Sequence, residues 1–137
     1  MELHGTNSQV ECQTCHQRSD PEPHFSYFRE TRRSPICGCG GFLKPATISF
    51  GQNLRPEDLS RSEDAASHAD FVIALGSTLS VYPAAEIPLL AARNGVPYAI
   101  INRGATEHDV LPQVTIRMED DVEKVFPPAV AAALNER

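Results

Sequence analysis

The sequence predicts an α/β fold in which a partial, doubly wound, mostly parallel sheet adjoins a small four-cysteine zinc-binding module. Three observations carry this. All four cysteines fall in the first third of the chain as two close pairs. From Pro45 onward, short apolar runs alternate with helical stretches, the pattern of strands joined by covering helices. The runs end in polar, glycine-bearing turns. At 137 residues there is room for one ordinary domain with a small satellite. A hydrophobic fraction of 41% with 22% charged residues excludes bulk disorder.

Residues 1–11 form a leading segment and residues 12–45 the cysteine module. Cys12 and Cys15 make a C-x2-C pair; Cys37 and Cys39 are one residue closer, with Gly38 between them easing the tighter loop. Doubled pairs across a polar insert are the spacing of a structural zinc site, whose four thiolates close the coordination sphere and leave no catalytic position. Unliganded thiols and redox pairs are the alternatives. His16 and His24 read as solvent-facing loop residues, with His16 the first substitute should the short loop lose a ligand. The insert has no apolar periodicity and predicts only a short strand at residues 25–28; Arg29, Arg32 and Arg33 read as a solvated face.

Residues 46–137 carry the alternation. A strand is expected at residues 46–51, then a helix from Arg55 to about His68, opened by Pro56 and two acids suited to a first turn. Residues 71–75 are continuously apolar, as in strands covered on both faces. A helix over residues 84–94 stops at Gly95. Strands follow at 98–101 and 114–118, and a last helix over about 121–134. Pro88 and the Pro127–Pro128 pair are expected to kink or split their helices. Strand–helix–strand–helix–strand is half of a Rossmann-type, nucleotide-binding sheet, and ligands of such sheets lie beyond the carboxyl ends of the strands. Those ends carry Gly51, Gly76-Ser77-Thr78 and Asn102-Arg103-Gly104. Singly, each suits a turn or a helix cap; together they favour a nucleotide or similar polyhydroxylated ligand. Neither G-x-G-x-x-G nor a Walker A loop occurs.

A net charge of −6, with thirteen acidic against seven basic residues after Pro45, argues against a nucleic-acid-binding zinc ribbon. No apolar stretch approaches membrane-spanning length and no apolar leader opens the chain, so a cytoplasmic protein is expected, with no nucleic acid and no membrane among its partners.

Five pieces, in order, resemble the carboxyl-terminal portion of the sirtuins, the NAD-dependent protein lysine deacylases. They are Glu2-Leu-His-Gly, the C-x2-C…C-x-C run into Gly40-Gly41-Phe-Leu-Lys-Pro, Ile48-Ser-Phe-Gly-Gln-Asn-Leu, Leu75-Gly-Ser-Thr-Leu-Ser-Val-Tyr-Pro, and Ala99-Ile-Ile-Asn. The resemblance implies acyl transfer from a lysine to ADP-ribose with release of nicotinamide. His4 matches the general base that activates a ribose hydroxyl, a task suited to an imidazole. Cys12, Cys15, Cys37 and Cys39 match the ligands of structural zinc. Ile48, Ser49, Phe50 and Gly51 match the segment that pairs with substrate as an added strand and lines the acyl-lysine tunnel. Gly76, Ser77 and Thr78 match the adenine-ribose loop, Asn102 the asparagine that binds that ribose, with Arg103 and Gly104 beside it, and Val122 a residue backing the adenine.

Gln52 stands where the family usually has an acid. The family's amino-terminal half, with its glycine-rich phosphate loop and nicotinamide-side residues, has no counterpart in these 137 residues. His4 is therefore expected in a fraying terminus and the half-sheet to expose an edge, where the missing half or a second copy could pair. The isolated chain is expected to be inactive. A non-catalytic zinc-containing module that binds a peptide or protein is the alternative function.

Overall fold

The computed structural model describes residues 1–135, which form two compact units, Met1–Asp58 and the residues from Leu59 onward. The first unit is built on a three-stranded antiparallel sheet of order β2-β1-β3, from β1 (Gly5–Cys12), β2 (Arg18–Ser19) and β3 (Leu43–Thr47). β1 pairs with β3 from Gly5 opposite Thr47 to Cys12 opposite Leu43, with a register shift between Thr6 and Val10. The strand expected at residues 46–51 thus begins earlier, stops at Thr47 and joins this sheet, not the parallel one. Past Thr47 the chain turns, with Gln52 N–H donating to the Ser49 carbonyl at 2.9 Å and Gly51 at φ +87°.

The short strand expected at residues 25–28 is instead part of helix α1 (Pro21–Thr31). Its start signals are local: the Asp20 side chain accepts from Glu22 N–H at 2.7 Å and Pro21 sits at the first position, where its missing donor costs nothing. No residue of α1 is buried, which is why no apolar periodicity marks it.

The second unit holds the parallel sheet, order β4-β5-β6, from β4 (Val72–Leu75), β5 (Tyr98–Ile101) and β6 (Ile116–Met118). Helix α2 (Pro56–Ser67) precedes β4, α3 (Glu86–Arg93) links β4 to β5, and α4 (Val122–Asn135) follows β6. All of β5 is buried; Tyr98 and Ile100 pack with Leu79, Leu89 and Ala92, flanked by Val72 and Ala74. This is the predicted Rossmann-type half-sheet. Residues 71–75, however, are not covered on both faces: Val72 and Ala74 face the core, whereas Phe71, Ile73 and Leu75 are exposed. Alternation along a strand sends them to the opposite side. Pro88 does not split α3, because it is the third residue and lacks only a donor that the first turn leaves unpaired anyway. α4 likewise is not split and runs through Pro127 and Pro128 as one element, without the backbone bonds those residues cannot donate. Among the described residues, no helix is long and apolar enough to cross a membrane.

Candidate functional site: a thiol quartet and a polar strand-end cluster

Two turns bring the cysteines together. In the first, His16 N–H donates to the Cys12 carbonyl at 3.0 Å, and His16 takes the left-handed conformation at φ +59°. In the second, Gly40 N–H donates to the Cys37 carbonyl at 2.8 Å with Gly40 at φ +87°. Gly40, and not Gly38, therefore supplies the backbone freedom that closes the short loop. Gly41 is hemmed in: a Cβ there would lie 2.5 Å from Cys12 Sγ and 2.6 Å from Thr14 Oγ1.

The four Sγ atoms lie within 4.8 Å of one another, with Cys12–Cys39 at 3.5 Å and Cys15–Cys37 at 3.7 Å. A disulfide needs about 2.05 Å. Tetrahedral zinc with bonds of about 2.3 Å needs sulfurs about 3.8 Å apart, so the quartet fits the ion. Backbone amides of Cys15 and Thr14 pull the Cys12 thiol down to about 6. The Gly41 amide pulls Cys39 the same way, but the three neighbouring sulfurs outweigh it and hold that thiol up at about 12. His16 stays outside the quartet, exposed, with Nδ1 3.5 Å from Glu11 Oε1. His24 is half-buried and bonds Ser19 Oγ at 2.9 Å.

His4 does not fray. Its carbonyl accepts from Ile48 N–H at 2.9 Å, and Gly5 N–H closes a turn onto Glu2 at 2.8 Å. Gly5 must be glycine: φ is +72° and a Cβ would lie 2.1 Å from the Ala46 carbonyl oxygen. The structure thus ties the histidine's backbone to the first residue of the Ile48–Gly51 segment while its imidazole stays exposed. Ile48 is half-buried; Ser49 and Gly51 are exposed, and Phe50 is 97% exposed at the tip of the turn.

In the second unit the carboxyl ends of the strands converge. Gly76 N–H donates to Ile101 O at 2.9 Å, and Asn102 N–H to Met118 O at 3.1 Å. Gly76 has φ +61°, and a Cβ there would stand 3.7 Å from Val122 Cγ2, so the glycine lies against that side chain. Ser77 Oγ accepts from Leu79 N–H at 3.1 Å, a local turn and not the helix cap considered for it, since α3 begins only at Glu86. Thr78 O accepts from Glu107 N–H at 3.0 Å. Asn102 Nδ2 donates to Gly104 O at 2.9 Å, which leaves Oδ1 as an acceptor for a ligand hydroxyl. Arg103 pairs with Asp121 at 2.6 Å. The ends of β4 and β5 thus bring Gly76 and Asn102 to the same edge of the sheet, with Val122 beside Gly76 and Gly104 bonded to Asn102.

Sequence reasoning missed what holds this rim. Arg117 donates to Asp109 Oδ1 at 2.7 Å, to Gly104 O at 2.6 Å and to Asn102 O at 3.2 Å. The Arg117 guanidinium, with Thr106, holds the Asp109 carboxyl down at about 2. An arginine on a short strand carries no sequence signal for such a clamp. Gly5 and Gly41 were readable only as parts of the His4-Gly5 and Gly40-Gly41 runs, with no signal for the close approach each makes.

A four-cysteine cluster at zinc spacing in the antiparallel-sheet unit, and a Rossmann-type parallel half-sheet in the other unit, define the class of fold. The chain belongs to the Sir2 family, whose profile matches residues 1–83. It is 38% identical over 118 residues to the NAD-dependent protein deacetylase of Rhodopseudomonas palustris, covering 85% of this chain and 47% of that one. It is 39% identical over 116 residues to NAD-dependent protein deacetylase 1 of Geobacillus kaustophilus, covering 85% and 46%. Among solved structures, a Sir2 complex with p53 peptide and NAD+ superposes with TM-score 0.84 at 32% identity, covering 98% of this chain and 55% of that one. Sir2Tm bound to a propionylated peptide gives 0.84 at 31%, covering 97% and 55%. The chain spans about half the length of the relatives it matches.

Proposed function

We propose that the chain is the zinc-bearing, adenosine-binding portion of an NAD-dependent protein lysine deacetylase. The observation that carries this is the juxtaposition in one unit of a thiol quartet at zinc spacing and a histidine whose backbone is bonded to the Ile48–Gly51 segment. Cys12, Cys15, Cys37 and Cys39 hold a structural zinc, and a closed four-sulfur sphere keeps that ion out of the chemistry. The thiols stay reduced in a cytoplasmic setting. NAD, when bound, supplies the ribose that receives the acyl group. Gly76, Ser77, Thr78, Asn102 and Gly104 bind and orient its adenosine end, with Arg103 beside them and Val122 behind the base. Ile48, Ser49, Phe50 and Gly51 take the acyl-lysine peptide by main-chain pairing, and His4 accepts the proton from the ribose hydroxyl.

The test is a chimera in which this chain replaces the matching region of the Rhodopseudomonas palustris deacetylase. We expect NAD-dependent deacetylation of an acetyl-lysine peptide, reduced by at least about a hundredfold in His4→Ala, as for loss of a general base. A folded chimera that is inert, or activity that survives the substitution, contradicts the reading.

A further inference from the structure

We propose that the cleft bounded by β1, β3 and residues 48–55 is a carboxylate-binding subsite, so that the preferred peptides carry an acidic side chain within two residues of the acylated lysine. The inference rests on the acyl-lysine reading of Ile48–Gly51 for its register, and on the cleft alone for its charge.

The cleft has a volume of about 310 Å3 and lies wholly within the first unit. Arg18, Lys44 and Arg55 line it against a single acid, Glu11, and the rest of the lining, His16 and Gln52 included, is uncharged or a histidine. In a chain of net charge −6 this is a local excess of positive charge. The arrangement is already set. Glu11, its side chain only 12% exposed, accepts at Oε2 from Arg18 Nε at 2.8 Å and from Arg55 Nη2. One carboxylate thus holds two guanidiniums side by side while each spends a single nitrogen on it. A guanidinium has five N–H donors in a fixed fork, so both retain donors for a second carboxylate, and the entropy of ordering two long side chains is met before a ligand arrives. Charge-assisted bonds of this kind are stronger than neutral ones and select planar carboxylates.

Position supplies the register. Ile48 borders the same cleft, and Lys44 Nζ bonds the Thr47 carbonyl and lies 3.5 Å from Ser49 Oγ. A peptide added along residues 48–51 places alternate side chains on the side where the cleft opens. An aspartate or glutamate close to the lysine reaches the arginines.

Fluorescence anisotropy on the 137-residue chain tests this with four labelled peptides: acetyl-lysine or free lysine, each flanked by glutamates or by glutamines. The acidic acetyl-lysine peptide is expected to bind on the order of tenfold tighter than its glutamine twin, with the difference shrinking at high salt. Arg55→Gln and, separately, Gln52→Glu are expected to abolish the preference. Gln52 is exposed, so the second variant keeps the test valid should the first disturb folding. Equal affinities, or a preference that survives Gln52→Glu, overturn the proposal. Preference for acid with no dependence on acetylation upholds the subsite and contradicts the acyl-lysine reading. Preference for acetylation with none for acid does the reverse. A folded chain that binds none of the four overturns both.

Discussion

At Gly41 there is room for a hydrogen and nothing more, because the glycine backs directly onto Cys12 Sγ and Thr14. A methyl group would push the buried sulfur out of the quartet, since a packed site absorbs added volume only by displacing its neighbours. Gly41→Ala is expected to lower the zinc content of the purified chain well below one per molecule and to reduce stability by about 1–3 kcal/mol. Metal analysis with thermal melts checks this, and Gly38→Ala is the control, because nothing lies within 4 Å of a Cβ there. Full zinc occupancy and an unchanged melt for Gly41→Ala would show that the quartet does not depend on this contact. The cysteine pairs could be read from the sequence because ligand spacing is local. The choice between Gly38 and Gly40 as the residue that closes the loop could not, because it depends on which one takes φ +87°.

Tyr98 of β5 and His108, from the connection between β5 and β6, form a buried ionisable pair. Tyr98 OH and His108 Nδ1 are 2.9 Å apart, both residues are fully buried, and His108 Nε2 has no hydrogen-bond partner among the described residues. Burial pushes the Tyr98 hydroxyl up to about 12, with Asp109 adding to it. Burial also lowers the His108 value, against the opposing pull of Glu86, Glu107 and Asp109. A histidine with a lowered folded-state pKa contributes in full above its unfolded value of about 6.5 and loses that contribution as pH falls below it, because the unfolded chain then binds the extra proton. The melting temperature of the chain is therefore expected to fall more steeply between about pH 7 and 5 than that of His108→Gln. Parallel pH profiles for the two proteins would show the histidine to be irrelevant. At this scale the sequence was legible mainly in the second unit, where apolar runs alternate with capped helical stretches. The apolar strands, α2, α3 and α4 emerge near their expected limits, since periodicity and caps are local signals. Helix α1 did not emerge, because its faces are all solvated and only Asp20 and Pro21 announce it. The partner of β3 was not legible either, since pairing is a long-range choice that one strand's own residues do not encode.

The whole molecule comprises two units whose functional residues come from opposite ends of the chain. The first holds the thiol quartet, the His4–Ile48 connection and the cationic cleft, and the second holds the polar strand tips. Zinc would contribute on the order of 10 kcal/mol to ordering the first unit, where few apolar residues are buried. Phe71, Ile73 and Leu75 are exposed, and β4 and β6 are the edge strands of the half-sheet. The claim joining these parts is that the strand tips receive the adenosine end of a dinucleotide. A 15N-resolved NMR titration of the zinc-loaded chain with ADP-ribose tests it most directly. The account predicts saturable shifts concentrated at the amides of Gly76, Ser77, Thr78, Asn102 and Gly104, weakened by Asn102→Ala. Shifts confined to other residues, or none at millimolar ligand, would contradict it.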